Sequence, residues 1–85
     1  MPGRSKKSTV SPKALAGRTT YSPVANAFYL YLRSRGKFGR MVKVSPTVNA
    51  DFDQQGRLIG IEVLDARFHL PRKLLEGAIR LDRKR

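Results

Sequence analysis

Cysteine is absent from the chain, histidine occurs once, and only 6 of 85 residues are acidic. Without cysteine there is neither a disulfide framework nor a thiolate zinc site. With a single histidine, most nucleophile–base pairs and histidine-rich metal clusters are also excluded, so no enzymatic activity, cofactor or metal is expected. Long apolar runs are missing as well. The longest, Ala27–Leu32, falls far short of the ~18 residues a membrane span requires. The stretch after Lys7 is interrupted by Pro12 and Lys13 and lacks the apolar centre, roughly 7–15 residues, of a secretory signal. No membrane role and residence in the cytoplasm are the expectation.

What the chain does contain is positive charge, 18 Lys and Arg for a formal net charge of +12. The charge is unevenly placed. Up to Ala50 the bases Arg4, Lys6, Lys7, Lys13, Arg18, Arg33, Arg35, Lys37, Arg40 and Lys43 occur without any carboxylate, and all the acids follow that point. Such a field attracts a polyanion over a Debye length of about 8 Å. At this length one domain is expected, burying about 60–65% of the surface its unfolded form exposes.

Residues 1–19 show no apolar periodicity and read as a flexible basic arm. Residues 20–85 read as the single folded unit. Ser22–Asn26 has the chemistry of a turn, with Pro23 following a capping serine. Ala27–Arg33 is an aromatic and apolar strand, carrying Phe28, Leu30 and Leu32 on one face and Ala27, Tyr29, Tyr31 and Arg33 on the other. Ser34–Gly39 is a turn and Arg40–Val44 a short strand. Thr47–Asp53 alternates, with Val48, Ala50 and Phe52 inward and Asn49, Asp51 and Asp53 outward. Asp53–Gly56 is a hairpin turn leading into the strand Arg57–Leu64. Pro71, Leu74, Leu75, Ala78 and Ile79 then recur at helical spacing. The fold class expected is α+β: a small antiparallel sheet of three to four strands with one C-terminal helix, preceded by the disordered arm.

Two blocks of residues resemble a known family. Tyr21–Leu32 and Val48–Ala66, the latter containing the run Gly-Arg-Leu-Ile-Gly-Ile-Glu-Val-Leu-Asp from Gly56 to Asp65, are similar to a prokaryotic domain-of-unknown-function family, DUF2283. Leu70–Leu75 looks like that family's final helix. The resemblance covers about residues 20–79 and implies a sheet-plus-helix domain without assigned catalytic residues. Some relatives look like partners of small toxins, which implies an antitoxin-type role and a protein partner such as a toxin. Ser22, Val24 and Asn26 stand where the family usually has acids, and the basic arm is an addition.

Several candidate sites compete. Asp51, Asp53, Gln55, Gly56, Leu58 and Glu62 match the ligand spacing of a calcium loop. That loop needs helices on both sides, however, and alternation here calls for a hairpin, which separates Asp51 from Glu62. His69 reads as a packing or capping residue at a helix entry, and the Asp51/Asp53 pair as a solvated edge. Tyr29, Tyr31 and Arg33 share a face that suits core, a dimer interface or stacked bases. The bases Arg4, Lys6, Lys7, Lys13, Arg18, Arg33, Arg35, Lys37, Arg40, Lys43, Arg72, Lys73, Arg80 and Arg83 are the candidate phosphate contacts. The expectation is a non-enzymatic nucleic-acid-binding protein, DNA or RNA, with little sequence specificity. The alternative is a protein-interaction module, and both readings include a homo-oligomer, because the two apolar strand faces need more core than this chain supplies.

Overall fold

The computed structural model describes residues 16–33 and 37–81. Its elements are β1 (Thr19–Ser22), β2 (Ala27–Tyr31), β3 (Phe38–Ser45), β4 (Val48–Asp53), β5 (Leu58–Leu64), α1 (Ala66–His69), α2 (Arg72–Glu76) and β6 (Ile79–Arg80). The strands form one six-stranded sheet in the order β3-β4-β5-β2-β1-β6. Every neighbouring pair is antiparallel except β1 and β6, which run parallel.

This corrects the expected sheet of three to four antiparallel strands with one C-terminal helix. Two additional strands, a separate short helix at Ala66–His69 and a C-terminal helix that ends early account for the difference. Thr19–Ser22 is too short to show a period of two, yet its β-branched threonines pair along β2 from Thr19↔Leu30 to Ser22↔Ala27. The stripe from Pro71 to Ile79 does not continue as a helix. Gly77 ends α2, its N–H bonding to the Lys73 carbonyl at 3.1 Å. Ile79 and Arg80 then lie along β1, anchored by the Leu81 N–H on the Tyr21 carbonyl at 2.9 Å. The short edge strand gains backbone pairing where a glycine would have weakened a longer helix by about 1 kcal/mol.

The β4–β5 hairpin forms as expected. Gly56 adopts φ 84 and its N–H reaches the Asp53 carbonyl at 3.0 Å, while the Asp53 N–H meets the Arg57 carbonyl at 2.9 Å. The turn at Ser22–Asn26 forms too, with the Ala25 N–H donating to Ser22 Oγ at 3.2 Å.

Pairing fixes which residues share a face. Tyr21, Phe28 and Val63 stand in one cross-strand row, with Leu30 and Ile61 in the next. Tyr21 and Phe28 are buried with the fully enclosed Ala66 of α1, and Leu70, Leu75 and Ala78 close over them. Both short helices therefore owe their stability to this face rather than to their own length. On the opposite face, Tyr29 stands opposite Glu62, which stands opposite Asn49, which stands opposite Lys43. Asn49, expected outward, is buried at 6% exposure. It donates to Glu62 Oε1 at 3.0 Å and accepts from Lys43 Nζ at 3.4 Å, so its amide is satisfied within the sheet.

Candidate nucleic-acid interface

Strand register gathers bases from distant parts of the sequence at one end of the sheet. That end holds the start of β1, the end of β2, the start of β3 and the β4–β5 hairpin. The Tyr31 N–H bonds to the Arg18 carbonyl at 3.0 Å, and the Leu32 N–H to the Ile59 carbonyl at 2.9 Å. On the far side of the hairpin the Gln54 N–H bonds to the Lys37 carbonyl at 3.0 Å. These ties bring Arg18, Arg33, Lys37 and Arg57 to the same end, and Arg40 lies one step inward, opposite Phe52. The Arg40 guanidinium sits 5.4 Å from the Phe52 ring centroid, a cation–π placement that leaves it exposed. Lys37, Gln54, Gln55 and Arg57 border a depression of about 200 Å³ beside the hairpin.

The carboxylates nearest this end are already committed. Asp53 is 4% exposed, which corrects its reading as a solvated edge residue. Its Oδ1 accepts the Gln55 and Arg57 N–H groups, each at 2.9 Å, and its Oδ2 pairs with Arg57 Nε at 2.9 Å. The Arg57 backbone N–H is the main cause that holds the Asp53 carboxyl below its ordinary value, with Gln55 and the Arg57 guanidinium adding to it. Asp51 accepts the Tyr29 hydroxyl at 2.7 Å. Among the described residues, ion pairs join Arg57 to Asp53 and Arg72 to Glu76, so Arg18, Arg33, Lys37 and Arg40 face solvent without a carboxylate.

Tyr29 and Tyr31 stand beside this end with ring centroids 4.5 Å apart and planes inclined at 58°. Burial, followed by the hydrogen bond to Asp51, raises the Tyr29 phenol above its ordinary value. It stays protonated and a donor throughout the neutral range. The Tyr29 ring covers Gly60, the only kind of residue that leaves room for it there.

The remaining candidates are dispersed. Lys43 lies on the opposite face of β3 from Arg40, bound to Asn49. Arg72 and Arg80 belong to the other side of the molecule, near Tyr21, and Lys73 is exposed on α2. His69 ends α1 and meets Phe68 edge-on at 5.0 Å. Arg4, Lys6, Lys7, Lys13, Arg35 and Arg83 lie outside the described residues, as does most of the arm at 1–19. Two basic residues that the sequence pattern did not single out, Arg57 and Arg67, have defined partners: Asp53 for the first and Tyr21 Oη at 3.0 Å for the second.

The model of the family described as Protein of unknown function (DUF2283) matches residues 18–67, well over half of the chain. The chain belongs to this family. The DUF2283 match runs from the start of β1 into α1, so the basic end of the sheet lies within it, while α2 and β6 lie beyond it. No curated protein and no solved structure matches the chain. No helix among the described residues is long and apolar enough to cross a membrane.

The Asp53 geometry sets an acid limit on stability. Because its folded pKa lies below the ordinary carboxyl value of 3.8, its contribution is complete above that value and disappears as pH falls through the folded pKa. The melting temperature of the wild type is expected to fall more steeply than that of Asp53→Asn between about pH 5 and pH 3, the two curves converging at the acid end. Thermal melts by circular dichroism across that range check it; parallel curves would mean that the carboxylate charge contributes nothing.

Proposed function

We propose that the protein binds nucleic acid through phosphate contacts at the basic end of its sheet, non-enzymatically and with little sequence preference. The observation that carries this reading is the convergence of Arg18, Arg33, Lys37 and Arg40 at one end, where the nearby Asp51 and Asp53 are already hydrogen-bonded. Unneutralised cations on a preformed edge bind phosphates by releasing condensed counterions. Tyr29 and Tyr31, adjoining Arg33 in the chain, add aromatic surface on which an unpaired base stacks for about 1–3 kcal/mol. Among the described residues no helix stands clear of the sheet to enter a groove, in keeping with little base-edge readout.

Fluorescence anisotropy with labelled single-stranded DNA, RNA and duplex DNA tests the reading. Affinity is expected to fall log-linearly between about 50 and 200 mM salt. The double variant Arg33→Gln, Lys37→Gln is expected to lower the slope by about 1.5, close to two phosphate contacts. Absence of binding at about 50 mM salt, or an unchanged slope in the variant, would overturn it.

A protein partner is the second reading, supported by β3. This eight-residue strand is an outer edge of the sheet and exposes Phe38 at 57% and Val44 at 62%, with Met41 between them. An edge of that length with apolar side chains is a template for an added strand. Its flanking Arg40 and Lys43 favour an acidic partner strand over a second copy of β3.

A further inference from the structure

On the covered face, beyond the basic end, lies an open depression of about 390 Å³. Its floor is apolar, made by the Tyr21 ring with Pro23, Leu70 and Leu75, and its rim carries Arg67, Arg72 and Arg80. Three guanidiniums around an apolar floor form an unusual lining for so small a domain, since cations repel one another unless something negative enters.

Two of the three are held in place by the fold. Arg67 Nη1 donates to Tyr21 Oη at 3.0 Å, and that hydroxyl in turn donates to Asn26 Oδ1 at 2.9 Å. Arg80 pairs directly with Tyr21 across the parallel β1–β6 contact, so both side chains leave the same face of the sheet. Among the described residues, Glu76 is the single carboxylate on the rim. It lies 3.7 Å from Arg72, with both side chains largely exposed, so it offsets one cation and leaves Arg67 and Arg80 unpaired among the described residues.

We propose that this depression binds a phosphomonoester with an apolar or aromatic body, the body lying on Leu70, Leu75 and Pro23 and the phosphate reaching Arg67 and Arg80. Concave apolar sites with a few converging polar groups are the usual form of small-ligand sites, and this volume is within their range of about 300–1,000 Å³. A phosphate dianion offers acceptors for two planar, bidentate guanidiniums, whereas one guanidinium satisfies a carboxylate. Arg72 provides a third contact when its loose pair with Glu76 opens. The site is separate from the basic sheet end: it is built by α1, α2, β1 and β6, and none of Arg18, Arg33, Lys37 or Arg40 lines it.

The test is a titration of the full-length protein with phenyl phosphate at millimolar concentration, followed by amide chemical shifts. Inorganic phosphate and benzyl alcohol serve as the head-only and body-only controls. Phenyl phosphate is expected to shift resonances around Tyr21, Leu70 and Leu75 and to bind more tightly than either control. Arg67→Gln and Arg80→Gln are each expected to weaken it about tenfold. Arg80→Lys, which keeps the charge but loses the fork, is expected to recover only part of that loss. Lys37→Gln, at the sheet end, is expected to leave it unchanged. The amide spectrum of each variant reports directly whether it has folded. A mononucleotide and a 5′-phosphorylated tetranucleotide distinguish a free small molecule from a nucleic-acid terminus as the source of the phosphate, and tighter binding of either one supports the site. Equal binding of inorganic and phenyl phosphate, shifts located elsewhere, or indifference to both arginine variants would overturn the proposal.

Discussion

Asn26→Ala is expected to cost about 2–4 kcal/mol, more than its half-exposed position suggests, because Asn26 joins two parts of the fold and does so in a backbone conformation that alanine resists. Its Oδ1 accepts the Tyr21 hydroxyl at 2.9 Å and the Arg67 N–H at 3.0 Å, while its Nδ2 donates to Asp65 Oδ1 at 3.3 Å. Each such bond contributes about 0.5–1.5 kcal/mol. Its φ of 55 is left-handed, a region that costs an L-residue about 1–2 kcal/mol and that asparagine tolerates better than most. Asp65, its partner across the junction, has φ 53, so two residues of the same unusual conformation face each other where β5 passes into α1.

Comparison with Asn26→Gly separates the two contributions. Glycine adopts the backbone freely but loses the three side-chain bonds, so it is expected to recover about 1 kcal/mol of the alanine loss. For a domain of this size each kcal/mol moves the melting temperature by about 4–8 °C, making the two variants easy to resolve in thermal and urea melts. Equal stabilities would show that the left-handed backbone carries no cost. A loss below about 0.5 kcal/mol for alanine, within the range of ordinary surface changes, would show that Asn26 does not hold the junction.

Asn26 also marks how far the sequence could be read. The turn at Ser22–Asn26, the β2 strand, the β4–β5 hairpin and the family resemblance were all legible, because each depends on neighbours within a few residues. The pairing of Thr19–Ser22 with Ile79–Arg80 was not, since neither segment shows a period and their contact spans most of the chain. The stripe from Pro71 to Ile79 was misleading for a physical reason: Leu75 and Ala78 do pack against the Tyr21 core, but past Gly77 the chain becomes a strand, and Ile79, paired with Thr20, leaves the sheet on the face opposite to Arg80 and Tyr21. At the candidate sites, local charge picked out Arg18, Arg33, Lys37 and Arg40 individually. Their convergence comes only from the register of β1 to β5. Arg67 was passed over because its significance comes from Tyr21, forty-six residues away in sequence.

Gly60→Ala poses a contest of signs. Glycine inside a strand is usually unfavourable by about 0.5–1 kcal/mol relative to alanine, so propensity alone predicts that the substitution stabilises β5. The structure predicts the reverse, a loss of about 1–2 kcal/mol, because a Cβ at Gly60 collides with the hydroxyl and ring edge of Tyr29. The ring can move only by giving up its 2.7 Å bond to the Asp51 carboxylate and its packing on Tyr31, and a hydrogen bond to a charged group contributes about 1.5–3 kcal/mol. The Tyr29→Ala background isolates this effect. With the ring gone, Gly60→Ala meets no obstacle, and the same substitution is expected to become stabilising by about 0.5–1 kcal/mol. A double-mutant cycle measured by urea denaturation reads the sign change directly. If Gly60→Ala stabilises the wild type as it does the Tyr29→Ala variant, then Tyr29 does not lie over the β5 backbone, and the aromatic surface offered to an unpaired base beside Arg33 loses its support.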